Sequence, residues 1–299
     1  MRWVRDHIPH PVNKRLYRDA LLVTITGNVT LAVVKSLAAY FSGSVAIFSD
    51  AANSISDVLY SLLMVLGLYV SQRPPDLSHP QGHSRFEPLV GLMVSFSMAF
   101  AGYSALRASF VRFQEGGLAV EPGLPMLVLA LSAAAKVGMF YSIRAIAKKL
   151  TSPTLNTAAR DNLSDVLASS AAFIGALGST RLHPLLDPAA GVVVSLWIFY
   201  AAFAAARENL NFLTGAGASE ELRQRIIEET CAVPGVLRVH HLMTEYAGPR
   251  LVADLHVNVD GSTTLTESHR ITDEIIARIE AMPEIDRAYV HLEPHDWEE

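Results

Sequence analysis

Apolar residues fill most of the first two thirds of the chain in six long stretches separated by short polar connections. The stretches run roughly over residues 19–41, 45–71, 86–110, 124–146, 155–178 and 188–206. A helix needs about 20 predominantly apolar residues to cross the hydrocarbon core of a bilayer, so the pattern predicts six membrane-spanning helices. Gly and Pro mark the breaks, in FSGS, QRPPD, QEGG with EPG, TSPT and RLHPLLDP. The fifth stretch is the least apolar, as expected for a helix that faces other helices rather than lipid. After FLTGAGA the texture changes. SEELRQRIIEETCAV and TESHRITDEIIARIEAM carry the period of amphipathic helices, while VLRVHHLMTEY, RLVADLHVNVD and DRAYVHLEP alternate as strands. Ser219 is placed to cap the first of these helices, with acidic residues in its first turn. The expected fold class is therefore an α-helical membrane protein with six transmembrane helices plus a C-terminal α+β domain of order αββαβ. The expected boundary separates residues 1–210 from 211–299.

Composition supports that division. Of 299 residues, 51% are hydrophobic and only 18% charged, less charge than a soluble domain carries. Positive charge is sorted between alternate connections. Arg2, Arg5, Lys14, Arg15 and Arg18 precede the first stretch, Arg73 and Arg85 follow the second, and Arg144, Lys148 and Lys149 follow the fourth. The opposite connections hold only Arg112 and Arg181. The positive-inside rule then puts both termini in the cytoplasm, and the protein in the inner membrane if the cell is bacterial. The N-terminal segment is basic and broken by prolines, without the apolar core of a cleavable signal peptide. The lone Cys231 excludes an internal disulfide and a cysteine-based zinc site. Acidic residues concentrate after about residue 218, which disfavours nucleic acid as a partner. No Walker loop, HExxH motif or nucleophile with a base at usable spacing is present, so an enzyme is not expected and no catalytic cofactor is implied.

Two pairs of polar side chains, each spaced i,i+4, fall inside the apolar stretches: Asn53 with Asp57, and Asp161 with Asp165. Four residues make about one helical turn, so each pair projects from a single helix face. A carboxylate at that depth costs roughly 2.5–3.5 kcal/mol on insertion scales and usually marks a substrate or ion pathway. Two facing pairs would make a four-sided cage of oxygen donors, with Asp50 on the same face as Asn53 and Asp57. Such donors suit Mn²⁺, Mg²⁺ or Ca²⁺, whereas imidazole and thiolate suit Zn²⁺. Four ligands are few for Ca²⁺, so Mn²⁺ is favoured, with waters or Asp50 completing its shell. The competing reading is hydrogen bonding between helices, which is also the expectation for Asn28. Lys35 is expected to snorkel to the membrane surface. Lys136 lies deeper, where it could pair with an acidic residue.

Two further clusters are candidates. Asp76, His79 and His83 lie within eight residues in the connection after the second stretch, and either hold a divalent ion or belong to a tight turn at Pro80-Gln81-Gly82. In the C-terminal domain, His240 and His256 fall on neighbouring strands, His291 and Glu293 on the third, and His269 on a helix, with His241 adjacent to His240. Dispersed histidines are usually ordinary; this density in one small domain points to metal.

These motifs together resemble the cation diffusion facilitator family. GSVAIFSDAANSISDV resembles its second helix, HPQGHSRFEPL its His-Pro-x-Gly-His-x-Arg-x-Glu loop, DNLSDVLASSAAF its fifth helix and LDPAAGV the entry to its sixth. The resemblance implies six transmembrane helices, a cytoplasmic metallochaperone-like domain, a homodimer in the lipid bilayer, and export of divalent transition metal against protons. It implies a transport site at Asn53, Asp57, Asp161 and Asp165, a loop site at Asp76, His79 and His83, and regulatory ligands at His240, His256, His269, His291 and Glu293. It places Arg85 where family members carry a basic residue near the dimer contact. Zinc exporters of the family carry His at the place of Asp161, so the Asn-Asp/Asp-Asp set resembles the manganese-exporting branch. The same exchange of Zn²⁺, Fe²⁺, Co²⁺ or Cd²⁺ is the alternative, and a membrane-tethered sensor without transport is the alternative of another class.

Overall fold

The computed structural model describes residues 11–42, 45–116, 124–181 and 183–295, and the chain divides into two compact units, Met1–Leu210 and Asn211–Glu299. The first contains six long helices: α1 (Pro11–Ser42), α2 (Val45–Ser71), α3 (Phe86–Gln114), α4 (Leu124–Leu150), α5 (Pro153–Arg181) and α6 (Leu186–Leu213). Among the described residues, all but α5 are long and apolar enough to cross a membrane. Helix α5 is equally long but carries Arg160, Asp161, Asn162 and Asp165. It packs against α3 and α4 and buries Leu155, Ala158 and Ala159 together with Thr157 and Asn162. Its low apolarity thus reflects a position among helices. Phe96, Phe100 and Phe203 are each 64–69% exposed, which would be costly in water and is satisfied by lipid. The chain is an integral membrane protein.

The helices overrun the apolar stretches at their ends. α1 begins at Pro11 rather than near residue 19. Hydropathy reports the lipid-exposed length, whereas the helix continues through the polar Asn13–Asp19 segment, where Tyr17 is buried against the bundle. The α4–α5 reversal has a defined geometry. Thr151 takes the left-handed conformation (φ 51°), Ser152 N–H donates to Ala147 O at 3.1 Å, and Ser152 Oγ accepts from Leu155 N–H at 3.2 Å. The same short turn therefore ends α4 and caps α5. Pro153, at the first helical position, loses no bond there.

In the second unit, α7 (Glu220–Cys231), β1 (Val236–Tyr246), β2 (Leu251–Val259), α8 (Leu265–Glu280) and β3 (Ile285–Pro294) follow the expected αββαβ order. Ser219 Oγ accepts from Leu222 N–H and Thr264 Oγ1 from Glu267 N–H, each at 3.3 Å, capping the two helices. The sheet order is β1-β2-β3, antiparallel between β1 and β2 and parallel between β2 and β3. Leu251, Ala253, Leu255 and Val257 alternate onto one face of the central strand. They are fully buried in one core with Ile226 and with Ile271, Ile275 and Ile279, a single stripe of α8 at i,i+4 spacing. The other face of the sheet is left open, and that is where the histidines lie.

Candidate metal centres

Within the helical unit, the expected oxygen cage is occupied by a protein cation. Lys136 Nζ lies 3.0 Å from Asp57 Oδ2, 2.6 Å from Asp165 Oδ2 and 3.1 Å from Asn28 Oδ1, so α4 is tied to α2, α5 and α1 at one point. Asn28 is oriented in turn by donating to Ser61 Oγ at 2.7 Å, and Ser61 Oγ donates to Asp57 O at 2.7 Å. Asp57 and Asp161 line one small cavity of about 20 Å³, together with Thr24, Asn28, Ser61 and Asn162. Among the described residues the buried Asn162 Oδ1 makes no hydrogen bond, and the buried Asp165 Oδ2 has its ion pair with Lys136 as its partner.

Three expectations differ from the structure here. Asn53 is exposed and does not line the cavity, because the buried stripe of α2 runs through Ser54, Ser61, Met64 and Leu68 and Ser54 takes the inward place beside it. Asp57, Asp161 and Asp165 do not form one of the two groups of His, Cys, Asp or Glu among the described residues whose ligand atoms lie within 4.8 Å of one another. Lys136, wedged between two of the three carboxylates, accounts for that spacing. Lys35 is buried at 6% exposure rather than snorkelling. The side chain of Asp50 lies outside the described residues. Ser61 and Asn162 were not singled out from the sequence, although Ser61 follows Asp57 by one turn and Asn162 adjoins Asp161.

The loop cluster closes as a compact group. His79 Nδ1 is 3.5 Å from Asp76 Oδ1, His83 Nε2 is 3.4 Å from Asp76 Oδ2, and the two rings are 4.5 Å apart. The tight turn expected here is also present, with Gly82 N–H donating to His79 O at 2.9 Å and Gly82 at φ 98°, a region that only Gly enters without strain. The turn and the cluster are one device, because the turn folds His83 back onto Asp76. The backbone N–H of His79, assisted by His83 and the Ser78 N–H, holds the Asp76 carboxyl below the usual carboxylate range. It is thus ionised and ready to accept a cation. Immediately beyond, buried Glu87 accepts from Tyr17 Oη at 2.9 Å and from Ser152 Oγ, fixing the start of α3 to α1 and to the α4–α5 turn.

On the open sheet face of the second unit, Glu293 gathers three imidazoles. Its carboxylate lies 3.1 Å from His240 Nε2, 3.0 Å from His256 Nδ1 and 3.4 Å from His291 Nε2. His241, His256 and His291 stand in register across the three strands. Strict alternation would send His240 and His241 to opposite faces. A bulge between Val239 and His241 brings both near His256, with ring centroids at 5.7 and 5.0 Å. His240, His256 and Glu293 have ligand atoms within 4.8 Å of one another, a donor set that fits a divalent transition metal. His269 does not join them. It sits on α8, pairs with Asp273 one turn on at 3.7 Å, and lines a cavity of about 350 Å³ together with Glu293.

Known proteins share this organisation. The family description "Cation efflux transmembrane domain" matches residues 21–214, and "Cation efflux protein, cytoplasmic domain" matches 218–295. An uncharacterized transporter of Methanocaldococcus jannaschii is 32% identical over 91% of this chain and 96% of its own length. The manganese efflux system protein MneS of Bacillus subtilis is 30% identical over 91% and 94%. The magnetosome protein MamM of Magnetospirillum gryphiswaldense is 30% identical over 86% and 81%. A cadmium form of the MamM C-terminal domain aligns with 26% of this chain and 98% of its own, at 29% identity and a TM-score of 0.25.

Proposed function

The chain belongs to the cation efflux, or cation diffusion facilitator, family of divalent-metal transporters, and we propose that within it this protein exchanges cytosolic Mn²⁺ for protons. The observation that carries the reading is the buried pocket where Asp57 meets Asp161, with Asp165 tied to it through Lys136. Its charged and amide ligands, Asp57, Asp161, Asn28 and Asn162, offer oxygen, the donor type that suits Mn²⁺ over Zn²⁺, with the Met64 thioether the one sulfur in its lining. The relative MneS, a manganese efflux protein, supports the same choice.

The exchange needs no covalent chemistry. The carboxylates of Asp57, Asp161 and Asp165 bind metal when ionised, and the same oxygens take protons when the site faces the more acidic side. Six spanning helices with α5 enclosed, both termini in the cytoplasm and residues 1–210 acting as the transport domain complete the picture. Residues 211–299 pair two protomers, and metal on His240, His256 and Glu293 lowers repulsion between two acidic domains and biases the helices they are joined to. The loop cluster of Asp76, His79 and His83 is a third metal site at the cytoplasmic surface. Asn53 would join the transport ligands only in a conformation in which α2 has turned. The imidazole-rich soluble cluster favours zinc as the alternative substrate or regulator.

The test is metal uptake into proteoliposomes under an imposed pH gradient, comparing Mn²⁺ with Zn²⁺ for the wild type and Asp57→Ala. Proton-coupled Mn²⁺ flux that disappears in the variant is expected. Preferential Zn²⁺ flux overturns the ion assignment, and absence of flux for either ion favours a tethered sensor.

A further inference from the structure

We infer that Lys136 is a tethered counter-cation of the transport pocket: its ammonium holds the place between Asp57 and Asp165 that the divalent ion takes, and metal binds by displacing it. The inference rests on the transport-site reading above. Lys136 stands 12 residues into α4, about 18 Å from its start at 1.5 Å per residue, so it is too deep to reach either surface. It is 4% exposed. Its ammonium donates to oxygens of α1 and α2 and pairs with a carboxylate of α5, three oxygens within 3.1 Å around one cation.

Space and charge both argue for exchange rather than coexistence. The cavity beside Asp57 and Asp161 has room for about one water-sized group. A metal bound to the same carboxylates would stand against the ammonium at ion-pair distance, and the two would repel. With their carboxylates ionised, Asp57, Asp161 and Asp165 carry three negative charges against Lys136 and the buried Lys35 of α1, an excess of negative charge that favours a bound cation. Asp165 Oδ2, buried 2.6 Å from Nζ and without another partner among the described residues, retains acceptor capacity for a metal. The flexible four-carbon stem of lysine lets the ammonium leave without moving α4. A merely structural ion pair would instead remain in place when metal binds.

The test uses the full-length chain in detergent, carrying His240→Ala, His256→Ala, Glu293→Ala and Asp76→Ala so that calorimetry reads only the helical unit. Against that background, in which the loss of Asp76 leaves the transport pocket as the site read within the helical unit, Lys136→Gln should bind Mn²⁺ at least tenfold more tightly, and Lys136→Arg should not. Unchanged or weaker binding by Lys136→Gln overturns the inference. Loss of binding in Asp57→Ala is expected; retained binding there overturns the transport-site assignment itself. A measurement on the wild type guards against misfolding of the glutamine variant. Trinitrobenzenesulfonate labelling of Lys136, mapped by mass spectrometry, should accelerate severalfold when Mn²⁺ is added. Unchanged or slower labelling refutes displacement.

Discussion

Replacing Glu87 by Ala tests how the loop cluster is anchored to the helices. Glu87 is 1% exposed, and its carboxylate is shared by two hydroxyls, Tyr17 Oη at 2.9 Å and Ser152 Oγ. These partners lie 70 and 65 residues away in sequence, so one side chain joins α3 to α1 and to the α4–α5 turn. Losing a buried acceptor costs about 1–3 kcal/mol. The vacated volume adds to this, as does the loss of a negative charge from the first turn of a helix, worth about 0.3–1 kcal/mol. A total of about 3 kcal/mol is expected, which at roughly 3 °C per kcal/mol lowers the melting temperature by about 10 °C. Glu87→Gln keeps the volume and one acceptor, and both hydroxyls can rotate to suit an amide, so its cost is about 1 kcal/mol. Thermal unfolding of the full chain in detergent, followed by tryptophan fluorescence, reads both variants. Mn²⁺ or Zn²⁺ binding in a variant lacking the soluble-unit ligands should weaken in the alanine variant alone, because Asp76–His83 leads directly into Glu87. Equal destabilisation by Ala and Gln, or an alanine variant within about 2 °C of wild type, would refute the shared-acceptor argument.

Gly67→Ala would place a Cβ 2.0 Å from Val90 Cγ2 on α3. With a stiff β-branched neighbour the overpacking should cost about 1–3 kcal/mol, relieved by adding Val90→Ala, as a double-mutant cycle on melting temperature would show. Thr151→Gly relieves the left-handed strain at φ 51° and should stabilise the chain by about 0.5–1 kcal/mol in the same assay, net of the extra freedom of unfolded Gly. In the second unit, metal at a hundred times Kd should add about 2.7 kcal/mol of protection against hydrogen exchange in β1–β3. Glu293→Gln should remove most of that protection, because Glu293 is the group on which His240, His256 and His291 converge.

The sequence by itself determined the elements, because each is written in local periodicity. Six long apolar stretches became α1–α6, and the alternating and amphipathic runs gave αββαβ with Ser219 as a cap. It also determined which residue types could hold metal: Asp76, His79 and His83 lie close enough along the chain for one turn to bring them together. Tertiary structure decided what depended on meetings between distant segments. Whether the aspartates of α2 and α5 face an ion or a lysine turns on α4 lying between them, and no spacing within α2 or α5 encodes that. Helix rotation left Asn53 outside the cavity although it shares a turn with Asp57. A bulge, invisible to a period-2 reading, turned His240 to the face of His256. The layer order left His269 outside the close group, sharing only a cavity with Glu293. Local propensity fixes a helix or a strand within a few residues, whereas rotation, register and the choice of partner follow from burying the most apolar surface and satisfying the most polar groups over the whole unit at once.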